Sequence, residues 1–449
     1  MSSAAIDNDD IPPTQQRELR RVVTASVVGT ALEWYDFFIY GFAVTLVFNT
    51  LFFPTSDPTV GTIAGFATFG VGFAIRPLGG FLFGHLGDRV GRRATLVITT
   101  LIMGLSTGLI GLLPTYETIG VAAPILLTML RICQGLGAGA EFGGASTLLC
   151  EHAPAHRRGY LSSYAQTGVQ IGLLLGTVTF LLVERLGTET VQAWAWRLPF
   201  LFSFALIAVS LYVRLRVAES PVFERMSSDR RTVQLPVFDA LRRYPRNFLI
   251  GIGAHICDTA VVYIYATFSV AYLQQTLELP RWIGLTGVIT FTVVVIVLQP
   301  VYGALSDRIG RKPLNLFSVV FTALFAFPFF ALLSTEQPVL IWLALVVAAS
   351  LGLAPMIAVQ PAFYAELFGA RVRYTGFAAS REIGAALGGF SPLVASALVI
   401  QADGEGWLVA AWMVGTAVVS LVAFAFAHET KDVDITAAEA PNARTASGG

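Results

Sequence analysis

Charge is what this chain has least of. Of 449 residues only 13% are Asp, Glu, Lys or Arg, while 55% are hydrophobic; soluble domains carry about 25% charged residues. So few charges cannot cover a surface exposed to water. Mean hydropathy is +0.68, so lipid is the solvent this composition suits. The 29 basic residues balance 29 acidic ones, which removes the basic field that nucleic-acid binding uses. Cys133, Cys150 and Cys257 lie far apart, without a CxxC pair, and read as buried or inert thiols rather than a metal or redox site. A Gly-x4-Gly-Lys-Ser/Thr loop is missing, which argues against ATP-driven transport. Nothing assembles the nucleophile, base and oxyanion donors of an enzyme.

What the chain does have is long apolar runs. Arg17, Arg20 and Arg21 precede the first, which continues past Trp34 and Tyr35 with no small-residue cleavage site; it reads as a retained span, not a signal peptide. Runs of roughly 20 residues, enough to cross a bilayer, fall near 22–48, 59–84, 94–113, 121–148, 159–183 and 197–214. Six more follow near 247–273, 282–305, 314–333, 338–362, 374–400 and 406–427. The expected organisation is a cytoplasmic N-terminal segment 1–21, a six-helix bundle 22–214, a polar cytoplasmic linker 215–246, a second bundle 247–427, and a tail 428–449. The tail is rich in alanine and threonine and reads as disordered.

The two sets of six are related. Gly84-His-Leu-Gly-Asp88-Arg89-Val-Gly91-Arg92-Arg93 recurs as Gly303-Ala-Leu-Ser-Asp307-Arg308-Ile-Gly310-Arg311-Lys312, offset by 303 − 84 = 219 residues. A duplicated membrane half with the same charged hairpin predicts an all-α membrane protein. Its twelve transmembrane helices form two pseudo-symmetric six-helix bundles. Lys and Arg cluster in alternate loops and in the linker, while the opposite loops hold mostly acids, such as Asp57, Glu117, Glu184 and Glu405. Both termini and the linker are therefore expected in the cytoplasm. Gly135, Gly139 and Gly143 in span 4, Gly168, Gly172 and Gly176 in span 5, and Gly384 and Gly388 in span 11 stand four apart, as helices in close contact require.

Eight ionisable residues lie inside apolar runs: Glu33, Asp36, Arg76, Arg131, Glu141, Asp258, Arg381 and Glu382. At about 2.5–3.5 kcal/mol each, leaving them unpaired would cost on the order of 20 kcal/mol, against a net stability of about 5–15 kcal/mol. They must pair or face a wet chamber between the halves. Glu33, Asp36 and Tyr40 share a face of span 1 at i, i+3, i+7. The simplest arrangement pairs these acids with Arg76 of span 2, where Pro77 loosens the helix. Such a pair is either a fixed structural contact or the site of a coupled proton on Asp36 or Glu33, tuned by Arg76. His255 and Asp258, three apart on span 7, form the alternative proton site. Tyr263, Tyr265, Gln299, Arg381 and Glu382 are candidates for the C-terminal wall, and Gln166 and Gln170 of span 5 for polar partners of a substrate. Arg381 offers a fork suited to a carboxylate, and if neutralised by Glu382 would favour a zwitterion or a polyol; Arg131 is a candidate ligand or coupling residue.

The hairpin repeat, together with Arg131-Ile-Cys-Gln134-Gly135, resembles the major facilitator superfamily. Ala31-Leu-Glu33-Trp-Tyr-Asp36-Phe-Phe-Ile-Tyr40-Gly, Arg76-Pro77-Leu-Gly79-Gly80, Glu219-Ser-Pro221-Val-Phe223 and Arg373-Tyr374-Thr-Gly376 narrow it. They resemble its metabolite:proton symporter family of shikimate, α-ketoglutarate, dicarboxylate and proline/betaine carriers. The chain departs from that pattern at Ser380-Arg381-Glu382-Ile383 and at Ala254-His255-Ile-Cys-Asp258. The resemblance, spanning about 20 to 430, implies a proton-coupled symporter of the inner cell membrane, a monomer that takes up a small polar metabolite. It would be driven by the proton gradient with no cofactor or nucleic-acid partner. An organic acid, shikimate-like or dicarboxylate, is the first expectation and a zwitterionic osmolyte the alternative; from another class, a transporter-like metabolite receptor would need an output domain. Asp88, Arg89, Arg92, Arg93, Glu141, Glu151, Arg158, Asp307, Arg308 and Arg311 are expected to latch the cytoplasmic side.

Overall fold

The computed structural model describes residues 13–54, 58–90, 92–139, 142–216, 241–369 and 372–435. Among them every regular element is helical, as lipid demands of a chain that must satisfy its own backbone hydrogen bonds. The apolar runs become α1 (Ser26–Leu51), α2 (Val60–Phe83), α3 (Val97–Ile110), α4 (Ala122–Ala138), α5 (Ala155–Glu184) and α6 (Arg197–Tyr212). The second set becomes α7 (Pro245–Thr276), α8 (Arg281–Ile309), α9 (Arg311–Leu333), α10 (Pro338–Leu367), α11 (Thr375–Gln401) and α12 (Trp407–Phe426). Each helix overlaps the run read from the sequence. The apolar part of α3 is short, within a helix Arg92–Ile110; α4 is followed by a helix Phe142–His152; α6 is preceded by Thr188–Ala195 at a bend of 49°. Most of the linker lies outside the described residues.

Burial separates inner helices from outer ones. In its most apolar stretch α1 is 94% buried and α7 78%, whereas α8 is 33% and α9 39% buried. The outer faces carry bare Leu182, Val297, Leu324 and Val339, a surface that suits hydrocarbon. Glycine sets the closest approaches: a Cβ at Gly172 of α5 would lie 2.6 Å from the Ala31 carbonyl of α1, and one at Gly384 of α11 equally close to the Ile252 carbonyl of α7.

Local breaks shape the centre. Pro77 has no N–H to give the carbonyl four residues back, and the helix breaks at Ile75, between Pro58–Ala74 and Arg76–Val90. Arg76 thus starts a helical segment part-way along α2. π-turns interrupt α1 at Val44–Phe48 and α7 at Ile264–Phe268, 264 − 44 = 220 residues apart, so the duplication extends to this irregularity. The two π-turns meet where Thr45 Oγ1 reaches the Thr267 carbonyl at 3.5 Å.

The tail expectation fails for its first part. Residues 428–435 pack against the ends of other helices, with Thr430 and Ile435 buried, because their polar groups find partners among the charges there. The remainder lies outside the described residues.

Candidate functional site

Three arginines meet at the seam between α1–α6 and α7–α12. The Arg76 guanidinium lies 4.1 Å from the ring centre of Phe37, 4.8 Å from Phe73 and 5.0 Å from Trp34. Arg131 lies 4.3 Å from Tyr40, 4.5 Å from Phe37 and 4.8 Å from Phe69. Ring faces attract cations, most strongly without water, which makes these buried charges tolerable. Arg381 Nη1 donates to Glu382 Oε1 at 2.6 Å, and Arg76 Nη1 stands 3.5 Å from Glu382 Oε2. One acid of the second half thus touches arginines from both halves.

Among the described residues Asp36 of α1 is not paired with Arg76 of α2. Asp36 Oδ1 instead accepts from Ser203 Oγ of α6 at 2.6 Å. Asp36 and Glu33 line a cavity of about 20 Å³ with Gly29, Gly104 and Ser210. Helix geometry gives the reason: α1 turns Trp34 and Phe37 toward Arg76, and Asp36 projects about 100° away from Phe37. Asp36 is tied to the centre indirectly. Arg131 Nη1 donates to Gln134 Oε1 at 2.5 Å, and Gln134 Nε2 donates to the Asp36 carbonyl at 3.2 Å and to Thr107 Oγ1 at 2.9 Å. Tyr40 is held by Thr68, its Oη 2.6 Å from Thr68 Oγ1.

In the second half, His255 Nδ1 stands 2.9 Å from Asp258 Oδ2, off the line of a hydrogen bond, and Asp258 Oδ1 has no partner. Tyr263 packs against Phe69 and Phe73 across the seam, with ring centres 5.0 and 5.2 Å away. Tyr265 turns instead to Phe329, 5.1 Å away, because two residues further on is 200° around the helix; it is no part of the central wall. Gln166 Nε2 donates to Gln360 Oε1 of α10 at 3.3 Å. Gln299 and the Gln170 carbonyl oxygen are buried without a hydrogen-bond partner, as are Arg76 Nε, Tyr263 Oη, and Arg131 Nε and Nη2. Unmet donors and acceptors at a buried seam are costly and mark where a polar ligand would be stabilised. Gln134 was read only as part of a motif, and Ser203 and Gln360 were missed in the sequence, since an uncharged polar residue inside an apolar run gives little signal.

Both ends of the seam are closed. At the end with the basic loops, Arg158 Nη1 donates to Glu366 Oε1 at 3.0 Å, and Arg373 Nη1 to Glu151 Oε1 at 3.2 Å. The pairs mirror each other (366 − 151 = 373 − 158 = 215). Arg311 Nε and Nη2 also donate to Glu366. Asp307 accepts from Arg311 Nη1 and from the backbone N–H groups of Gly159 and Tyr160, at 2.7, 2.7 and 2.8 Å, capping α5 from the other half. The Arg308 carbonyl accepts from Lys431. Glu366 was overlooked as a lone acid at a helix end; its offset from Glu151 was the available signal. The side chains of Asp88, Arg89, Arg92 and Arg93, and all of Glu141, lie outside the described residues. At the acidic end Arg281 Nη1 donates to Glu184 Oε1 at 2.9 Å, and Gln275 Nε2 to Thr62 Oγ1 at 3.0 Å. Of the two outcomes expected for these charges, pairing is what this closed form shows for Arg76, Arg381 and Asp258; with Arg131 they are all buried, and Phe37 packs against both Arg76 and Arg131.

The profile of the Major Facilitator Superfamily matches residues 26–392. The shikimate transporter of Escherichia coli (strain K12) is 38% identical over 405 residues, covering 89% of this chain and 92% of that protein. The inner membrane metabolite transport protein YhjE of the same strain is 40% identical over 425 residues, covering 92% and 94%. The proline/betaine transporter of that strain is 34% identical over 431 residues, covering 94% and 86%. Among solved structures, the D-xylose-proton symporter superposes with a TM-score of 0.71 at 19% identity, covering 92% of this chain and 99% of that one.

Proposed function

The chain belongs to the Major Facilitator Superfamily, and within it we propose a proton-coupled symporter that imports a small organic acid by alternating access. One observation carries the anion: Arg131 keeps Nε and Nη2 free of partners in a buried centre, beside an equally free Arg76 Nε. A carboxylate entering between them would receive the charge-assisted hydrogen bonds that no side chain supplies. Gln299, Gln170 and Tyr263 would serve the hydroxyl groups of such a substrate. That a relative carries the name shikimate transporter supports a ring-bearing hydroxy acid as the first candidate.

Asp36 is the proposed proton carrier. It sits one side chain from Arg131, through Gln134, so a substrate that draws on the arginine alters the field at the acid. Binding of proton and substrate is then linked, reciprocally, as any two coupled sites must be. His255 and Asp258 would take a secondary part. The two closed ends would open in turn, the basic end to the cytoplasm by the Lys/Arg bias of its loops, with both termini on that side. The carrier would sit in the inner membrane as a monomer, driven by the proton gradient without a cofactor.

A second reading has its own observation. Glu382 neutralises Arg381 and lies near the Trp34, Phe37 and Phe73 rings around Arg76, an acid with aromatic faces that would suit the cationic end of a zwitterion. Counterflow in proteoliposomes separates the two. Exchange with shikimate or a dicarboxylate supports the organic acid; exchange only with proline or betaine overturns it.

A further inference from the structure

The segment after α12 is not accounted for by the transport cycle described above. From His428 it doubles back beneath the basic end of the seam. Glu429 takes the N-terminus of α9: its Oε1 accepts from the Arg311 N–H at 2.8 Å and its Oε2 from the Lys312 N–H at 3.1 Å. Gly310 precedes them at φ 104°, a conformation that favours glycine, and a Cβ there would run into the Glu429 carboxylate. Thr430 Oγ1 donates to Glu366 Oε2 at 2.8 Å. Further along, the Val433 carbonyl accepts from Arg158 Nη1 at 3.3 Å, and the Ile435 carbonyl accepts from Arg373 Nη2.

These contacts fall on both mirrored ion pairs. Arg158 comes from the first half and Glu366 from the second, with Glu151 and Arg373 in the reverse arrangement. Opening this end requires each arginine to leave its acid. While the segment is docked, the Val433 carbonyl adds an acceptor for Arg158 near Glu366, and Thr430 holds the acid that Arg158 must leave. The remaining contacts anchor the segment to the second half, so it moves with that half and reaches across to the first.

We propose that residues 428–435 are a strap that holds the cytoplasmic gate shut, and that weakening it shifts the carrier toward the inward-open state. The inference rests on alternating access and on this end facing the cytoplasm, but not on what the carrier moves. Its test therefore uses no substrate, and its failure would leave the organic-acid reading standing.

Cys150 is a native reporter of the gate. It is buried at the seam, its Sγ 3.4 Å from the Pro361 carbonyl of α10, and is uncovered only if the halves part at this end. Cys257 is buried within the second half and should stay covered in every state. With Cys133→Ser to remove the exposed thiol, N-ethylmaleimide labelling of both cysteines in proteoliposomes is followed by mass spectrometry. A chain ending at His428 should label at Cys150 roughly tenfold faster, about what losing one hydrogen bond to a charged group implies. Thr430→Val should give a smaller rise in the same direction. An unchanged or slower Cys150 rate in the shortened chain overturns the strap, and so does a rise at Cys257 in step with Cys150. If the shortened chain does not reach the membrane, Thr430→Val decides alone: a faster Cys150 supports the strap and an unchanged one overturns it.

Discussion

Arg76 of α2 finds its acid on the opposite half of the molecule: its Nη1 lies 3.5 Å from Glu382 Oε2 of α11, with both side chains buried. In the empty carrier this acid is the counter-charge that lets arginines of both halves close around each other. A bound carboxylate would take over that role. Glu382→Gln should therefore spare exchange, in which the carrier crosses loaded both ways, and suppress net uptake, which needs the empty carrier to return. Breaking a buried ion pair costs about 3–5 kcal/mol, so net uptake should fall by a hundredfold or more while counterflow stays within a few fold. Equal losses in both assays would contradict this role.

Asp36 and the central arginines lie on different sides of α1, so proton and substrate steps should separate by mutation. Asp36→Asn keeps an oxygen for Ser203 Oγ, and is expected to retain counterflow but lose accumulation driven by a pH gradient. Gly29 offers a second handle. It lines the cavity beside Glu33 and Asp36, and a Cβ there meets nothing within 4 Å. About 20 Å³ is room for roughly one water. Gly29→Leu should fill that space and slow acid-stimulated uptake several-fold, with counterflow unchanged. Acid-stimulated uptake that survives in both variants would remove Asp36 from proton coupling.

Glu366 and Glu151 occupy mirrored positions but are not equivalent. Glu366 is fully buried and holds two arginines, whereas the Glu151 side chain is 24% exposed and holds one. Glu366→Gln should open the basic end more than Glu151→Gln, since removing one partner of a buried pair strands the other charges. Spin-label distances between the ends of α5 and α10 at the basic side would show it as a larger fraction open at that side. The reverse order would contradict the placement of the latch on Glu366.

The strap carries a built-in acid sensitivity. Burial, then the nearby Arg246, push the His428 imidazole below its ordinary 6.5; Glu429 pulls it up and Lys312 pushes it down again. Docking thus disfavours the charged form. The strap should hold fully above about pH 6.5 and loosen as pH falls through that value, levelling off below the docked pKa. A spin label at Asp432→Cys should become more mobile from pH 7 to pH 5, and His428→Gln should abolish the change. A label equally mobile at both pH values in the unsubstituted background would count against it.

Spans and repeat could be read directly, because a membrane leaves few ways to place twenty apolar residues and because a charged hairpin stands out between them. Seven of the eight ionisable residues placed inside apolar runs are buried; Glu141 lies outside the described residues. Their partners could not be read. Spacing along α1 tells which residues share a face, but not where that face points once α2, α3, α6 and α11 surround it. Hence Asp36 was paired with Arg76, and Tyr265 was placed with Tyr263 despite the 200° between them. Glu366 looked like one more acid at a helix end, and only the other half's Arg158 turned it into a hub. The strap was hidden for the same reason: its polar composition suggests disorder until the charges that hold it come into view.

If unmet guanidinium donors at the seam await a carboxylate, Arg131 is the residue on which to measure it. Titration calorimetry of the purified carrier with shikimate and with dicarboxylates, for wild type, Arg131→Lys and Arg131→Gln, reads this directly. The wild type should bind one of these acids. Arg131→Gln should bind it about 10- to 100-fold more weakly, as loss of hydrogen bonds worth about 1.5–3 kcal/mol implies, and Arg131→Lys should recover only part, having charge without the fork. Undiminished binding by Arg131→Gln, or a wild type that binds only proline or betaine, would contradict it.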